Sequence, residues 1–251
     1  MDKIYSVKAF SKTYGKRTIL KHAGMELECG KTYAIVGANG SGKSTFAKVV
    51  AGIIRTDQGG SVLAEKEGGQ KIKVGYLPQK PYAFRMSVKK NILLNRGQQK
   101  NAWQKGERYI REMGIERVLR SNAKDLSGGE NAKMALARLL IQNYDILILD
   151  EPTAAMDIHS ARHTEEILKQ YQKDTGCCMI MVTHSLKQAD RMADMVCFFK
   201  DGLMMEYGKA DQVLHQPQKQ ETRDFLDFYD LYSMQIASIA AFPASCACRV
   251  T

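Results

Sequence analysis

Apolar residues along the chain fall either into short unbroken runs or into longer stretches spaced by three and four, and the two periods predict strands and helices in turn. The runs Tyr33–Val36, Val74–Leu77, Ile146–Leu149 and 178–183 are almost wholly apolar, as strands covered on both faces are. Helical spacing predicts helices over 43–52, over 87–124 (Val88, Ile92, Leu93, Trp103, Tyr109, Ile110, Met113), from Ser127 to about Gln142, and over 158–174. Residues 3–10 and 18–27 read as two strands joined by a turn at Tyr14-Gly15-Lys16, and residues 196–207 as a hairpin turning at Asp201-Gly202. The Gly-rich, polar stretch 56–73 suggests short antiparallel strands, and 210–232 suggests peripheral helices. Strands alternating with helices make this an α/β chain, sized for one large domain with a helical insertion.

Composition excludes global disorder: 44% of the 251 residues are hydrophobic and 25% charged. The net charge of +10 is unevenly placed. Between Arg85 and Lys124 eleven Lys/Arg meet three Glu, a balance of +8. Such a block suits nucleic acid, anionic lipid or an acidic partner, or is a solvated helical face. The six cysteines (29, 177, 178, 197, 246, 248) have no zinc-site spacing, and Met1-Asp2-Lys3 opens no signal peptide, which predicts a reducing cytoplasm. Residues 231–248 carry no charge, yet Ser233, Gln235, Ser238, Pro243 and Ser245 interrupt them, so a poorly ordered apolar tail at 233–251 is expected rather than a membrane span.

The chemistry begins where the first buried strand ends. Gly37-Ala38-Asn39-Gly40-Ser41-Gly42-Lys43-Ser44-Thr45 matches G-x-x-x-x-G-K-[ST] at every fixed position, between a strand and a helix. Gly37, Gly40 and Gly42 let backbone N–H groups approach anionic oxygens, Lys43 adds a full charge near β- and γ-phosphates, Ser44 offers a hydroxyl to Mg²⁺, and Thr45 is a further donor. The strand at 146–149 runs out into Asp150-Glu151-Pro152. In a P-loop protein such an acid pair divides its work: the first binds Mg²⁺, the second deprotonates an attacking water. His184 ends another strand on the same sheet edge, where ligands of parallel α/β sheets bind. Tyr14 either stacks on a base or packs on its own hairpin. Gln79 is a loop glutamine able to reach a metal or water. Ser127-Gly128-Gly129-Glu130 is a capping box, a second anion site, or both.

In that order, Tyr14, the P-loop 37–45, Gln79, Leu126-Ser-Gly-Gly-Glu130, Asp150-Glu151, Asp157 and His184 resemble the nucleotide-binding subunit of an ATP-binding cassette (ABC) transporter over about residues 3–215. The resemblance implies a P-loop NTPase core with a mostly parallel sheet, a small antiparallel β subdomain and an inserted helical subdomain at about 80–142, within an ATPase domain spanning 1–232. Its ligands are ATP and Mg²⁺, the metal held by Ser44, Gln79 and Asp150. It implies further that Tyr14 stacks on adenine, Gln79 couples to the membrane subunit, Ser127, Gly128 and Gly129 touch the γ-phosphate held by the opposite copy, Asp157 belongs to the nucleotide site, Glu151 is the general base, and His184 holds γ-phosphate and water. The implied assembly is a homodimer with ATP at its interface, on transmembrane permease subunits and with a solute-binding protein, peripheral on the cytoplasmic face of the membrane. No nucleic acid is expected.

Two positions depart from the family pattern. Glu130 stands where the family usually has Gln, and Ala154 begins a loop that usually opens with serine. Only 47 residues separate Gln79 from Ser127, too few for the coiled-coil or zinc insertions of chromosome-organising relatives, and one P-loop rules out the two-cassette translation factors. The run from Ala189 to Leu226 is similar to the C-terminal pattern of phosphate, tungstate and polar amino acid importers, with an exporter subunit on a separate chain as the alternative.

Overall fold

The computed structural model describes residues 4–63, 70–94 and 102–229. The chain opens with four short strands, β1 (Ile4–Val7), β2 (Phe10–Tyr14), β3 (Arg17–His22) and β4 (Met25–Glu28). β1 pairs with β4 and β2 with β3, all antiparallel, so each long strand expected at 3–10 and 18–27 is broken in two. Gly24 marks the second break. Its φ is 100°, which favours glycine, and a Cβ there would lie a tight 3.3 Å from the Val7 carbonyl oxygen.

Next come β5 (Thr32–Val36), α1 (Lys43–Val50), β6 (Val74–Leu77), α2 (Val88–Leu93), α3 (Ala102–Glu112) and α4 (Gly128–Leu140). The helical pattern expected over 87–124 is thus realised as separate helices among the described residues. Gly114, at φ 66°, ends the third helix, and single 3₁₀ turns at Glu116–Val118 and Ala123–Asp125 carry the chain to Ser127. β7 (Ile146–Asp150), α5 (Ile158–Thr175), β8 (Cys178–Val182), α6 (Leu186–Met192), β9 (Met195–Lys200), β10 (Leu203–Lys209) and α7 (Ala210–His215) complete the fold with a further helix over 220–229. Within 56–73 the described residues show only the bridge of Leu63 to Val7. The tail 233–251 lies outside the described residues.

Six strands make one sheet in the order β10-β9-β5-β8-β7-β6, parallel except at the β10 edge. Alternation along each strand sorts the core. Leu147 and Leu149 of β7 face α4, α5 and the helices inserted before them, whereas Ile146 and Ile148 face α1 and the small antiparallel strands. Ala34 and Val36 of β5 meet α6 and α7. Among the described residues no helix is long and apolar enough to cross a membrane.

His22 sits in this core at 3% exposure, its ring 5.3 Å from Phe10 and 4.9 Å from Phe46 between centroids. Neither ring nitrogen has a hydrogen-bond partner. Burial pushes its pKa down to about 4, below the 6.5 of a free histidine. The folded chain therefore binds fewer protons than the unfolded chain between these values, so His22 leaves stability intact above pH 6.5 and removes it as pH falls, by about 3 kcal/mol at pH 4. In denaturant titrations of the full chain, His22→Phe should flatten the acid slope and add about 2 kcal/mol at pH 5. An unchanged slope excludes His22 as its source.

Candidate functional site

The P-loop connects β5 to α1 and is clamped on both sides by backbone. A Cβ on Gly37 (φ 145°) would lie 2.1 Å from the Phe199 carbonyl oxygen, and one on Gly42 (φ 101°) would lie 3.2 Å from that of Ile19. At Gly37 a side chain would collide with backbone, and at Gly42 the contact is tight and the left-handed φ favours glycine. The Gly202 N–H donates to the Ser41 carbonyl at 3.1 Å and its carbonyl accepts from Lys21 at 2.8 Å, so the β9–β10 turn and β3 hold the loop from outside.

Inside the loop Lys43 is 5% exposed and its Nζ donates to the carbonyls of Gly37 at 2.8 Å and Ala38 at 2.7 Å. Burial lowers its pKa to about 8, while the carboxylates of Glu151 and Asp150 pull the other way. The ammonium is charged at pH 7, held by neutral carbonyls that an anion can replace.

The parallel register brings the acids to this charge. Asp150 pairs with Val182 across β7 and β8, which sets Glu151 and His184 side by side beyond the strand ends. Asp150 is buried, which raises its pKa, while hydrogen bonds from the Ser44 hydroxyl (3.2 Å) and the Tyr76 hydroxyl (3.3 Å) draw it back. Glu151 has φ 52°, a left-handed conformation that costs a non-glycine residue about 1–2 kcal/mol. Its N–H donates to the Val182 carbonyl, and its Oε1 lies 2.8 Å from His184 Nε2. Burial, then Lys43, lower the His184 pKa, with Glu151 and Asp150 opposing, so the imidazole is neutral at pH 7 and donates its Nε2–H to Glu151.

These groups open on a cavity of about 390 Å³ lined by Asn39, Gly40, Gly42, Lys43, Ser44, Thr45, Gln79, Glu151 and His184. Arg17 and Ile19 of β3 also line it, and the sequence reading missed them; their one signal is their place in the hairpin before the P-loop strand. Tyr14, at the end of β2, is 50% exposed beside Lys12 and is not part of the lining. Gly37 and Ser41 form the loop behind it.

Ser127, Gly128 and Gly129 stand elsewhere, at the exposed start of α4. Ser127 donates its hydroxyl to Glu130 Oε2 at 2.6 Å and accepts the Glu130 N–H, a complete capping box. The Ser127 bonds hold the Glu130 carboxyl below its usual range. A Cβ on Gly129 would meet the Ala155 carbonyl at 3.1 Å, so this helix start rests on the loop that follows Glu151. Asp157 caps α5 by accepting the Ser160 N–H at 2.9 Å, which lowers its pKa.

A P-loop with a buried acid, a second acid and a histidine at the ends of adjacent parallel strands defines a nucleoside triphosphate hydrolase. The chain belongs to the ABC transporter family, which it matches over residues 20–154. It is similar to the arginine transport ATP-binding protein ArtM of Bacillus subtilis, 29% identical over 88% of this chain and 97% of that one. It is also similar to the phosphate import ATP-binding protein PstB of Campylobacter jejuni, 32% identical over 85% and 94%. Among solved structures, an ATP-binding cassette in a dimeric post-hydrolysis state with ADP and Pi superposes with a TM-score of 0.72 at 22% identity, covering 82% of this chain and 98% of that one. The chain is an ATP-binding, ATP-hydrolysing subunit of this family.

Nucleotide binding should track the charge of Lys43. A phosphate raises the pKa of the ammonium beside it, so binding takes up a proton wherever the free lysine has lost one. With a free pKa of about 8, ATP affinity measured by calorimetry should hold from pH 6.5 to 7.5 and fall about tenfold between pH 7 and pH 9. Constant affinity over that range contradicts the assignment.

Proposed function

We propose that this chain is the ATPase of an importer for a small polar solute, an inorganic oxyanion such as phosphate, tungstate or molybdate, or a polar amino acid. The observation that carries the ATPase part is the convergence of Lys43, Ser44, Gln79, Glu151 and His184 on one cavity. The names of the arginine and phosphate relatives support import and its solute class, and favour it over export.

In this reading the backbone of residues 37–45 and Lys43 hold the phosphates, and Tyr14 at its exposed hairpin tip stacks on adenine. Ser44, Asp150 and Gln79 hold Mg²⁺. The donor set fits, because a hydroxyl and one buried carboxylate 3.2 Å apart are hard oxygens of the few-ligand kind Mg²⁺ takes beside phosphates. Held there by Ser44, Asp150 and Gln79, Mg²⁺ would supply positive charge that offsets the negative charge of the phosphates. Glu151 takes a proton from the attacking water as its oxygen bonds to phosphorus and ADP leaves. His184 orients that water and the γ-phosphate.

Ser127, Gly128 and Gly129 do not line the cavity of their own chain. They, with Asp157, complete the site of a second copy in a homodimer with two ATPs at its interface. Residues 1–232 form the ATPase domain, with a helical subdomain at about 80–142. A groove of about 390 Å³ runs between β6 and α4, lined by Tyr76, Pro78, Phe84 (42% exposed), Leu94, Arg138 and Tyr144 among others, and Tyr82 (60% exposed) packs edge-on against Phe84. A cytoplasmic helix of the permease fits this apolar place, and it touches Tyr76, which bonds Asp150. The +8 segment accordingly faces a membrane subunit and the anionic inner leaflet, not nucleic acid. The solute-binding protein acts across the membrane.

Glu151→Gln tests the reading. Turnover should fall by about 10²–10⁴-fold, ATP should still bind, and size-exclusion chromatography with ATP should show a stable dimer. Cells carrying the variant should lose uptake of a labelled phosphate, tungstate, molybdate or polar amino acid. Normal hydrolysis in the variant refutes the role of Glu151, and unchanged uptake of every such solute refutes the importer.

A further inference from the structure

Behind the Glu151–His184 pair lies a buried hydrogen-bond cluster that the reading above does not use. Gln188, on the first turn of α6, is 4% exposed and its amide spends all its donors inside the protein. Nε2 donates to Thr153 Oγ1 at 2.8 Å and to Glu165 Oε1 at 3.0 Å, while Oε1 accepts the Thr183 hydroxyl at 2.7 Å. Thr183 directly precedes His184, and Thr153 follows Glu151 by two residues. One amide therefore ties together the two loops that carry the reacting pair.

The amide can face only one way. Glu165, 5% exposed, accepts from Arg191 Nε at 3.0 Å and Nη2 at 2.8 Å, so both its oxygens are fixed as acceptors by a two-point contact. That carboxylate demands the NH₂ side of Gln188, which turns Oε1 toward Thr183. Thr183 must then donate, and its oxygen is left to accept the Ser185 N–H at 3.0 Å. Ser185 in turn caps α6 by accepting the Gln188 N–H at 3.2 Å. Each polar group on this path is paired, which is what makes such a buried network rigid.

We propose that Gln188 is a positioning residue for ATP hydrolysis, holding the Glu151 and His184 loops at the spacing their 2.8 Å contact shows, with Glu165 and Arg191 fixing its orientation. This rests on Glu151 and His184 acting on the attacking water. No atom of Gln188 reaches the cavity lining, so its loss disturbs geometry and not nucleotide contacts.

The test compares full-length wild type, Gln188→Leu, Gln188→Glu, and the exchange variant Gln188→Glu/Glu165→Gln, with Glu151→Gln as reference. Gln188→Leu removes all three bonds, and Gln188→Glu sets two carboxylates about 3 Å apart. Each should lower kcat by about 10- to 100-fold, the scale of a misplaced reacting group, with the ATP Kd within twofold of wild type. The exchange variant again sets one amide against one carboxylate between residues 165 and 188, although residue 165 then has a single oxygen for Arg191, and should recover kcat at least threefold above Gln188→Glu. Wild-type kcat in Gln188→Leu, a matched loss of kcat and ATP binding, or no recovery on exchange overturns the proposal. If Glu151→Gln keeps wild-type kcat, the underlying reading fails instead, whatever the Gln188 variants do.

Discussion

Everything at this site depends on one buried positive charge that the protein satisfies with its own backbone. Lys43 is nearly out of water, and desolvating an ammonium is costly unless carbonyls or anions replace its hydration. The P-loop supplies two carbonyls within 2.8 Å, and it can do so because Gly37 and Gly42 let the chain curl between the Phe199 and Ile19 carbonyls, where a side chain would collide at the first and be tight at the second. The loop curls around this ammonium, the group proposed to meet phosphate. Its shape is enforced from outside by β3 and the β9–β10 turn, which explains why an edge hairpin and a distant β-turn belong to the nucleotide site.

The parallel sheet then decides what faces that charge. Because β5, β7 and β8 run the same way, their ends place the P-loop, the acid pair and His184 on one rim. The strain at Glu151, a left-handed residue ahead of a proline, is sustained by the sheet bond to Val182 and by the His184 contact. The far end of the same loop carries Ala155 against Gly128 and Gly129, so the helix start proposed to meet a second copy is linked to the proposed base through residues 151–155. Glu130 makes that helix start unusual. It holds the Ser127 hydroxyl proton at 2.6 Å, and a phosphate that takes this hydroxyl has to displace a carboxylate.

Much of this was legible in the chain, and the reason is covalent proximity. The P-loop, Asp150-Glu151 and the Ser127 capping box are contiguous, so residue type and spacing carry their chemistry before any folding is considered. His184 was readable because the apolar run 178–183 marks where the chain leaves the sheet, and the strand itself ends one residue earlier, at Val182. Arg17, Ile19, Tyr76 and Gln188 were not readable: each reaches the site, or the loops behind it, only through pairing or packing with elements distant in sequence. The strand expected at 18–27 and the helical pattern at 87–124 are broken at points that spacing does not show. Hydrophobic spacing continues across Gly24 and Gly114, while the backbone at those glycines turns into the left-handed region and ends the element.

The central claim is that Lys43, released from the Gly37 and Ala38 carbonyls, is what binds the phosphates of ATP. Calorimetric titration of MgATP into the full-length chain and into Lys43→Ala tests it most directly. Saturable one-to-one binding to the wild type is expected, with an affinity lower by about 10- to 150-fold in the variant, the worth of a charge-assisted hydrogen bond. Equal affinities in two equally folded proteins would contradict it.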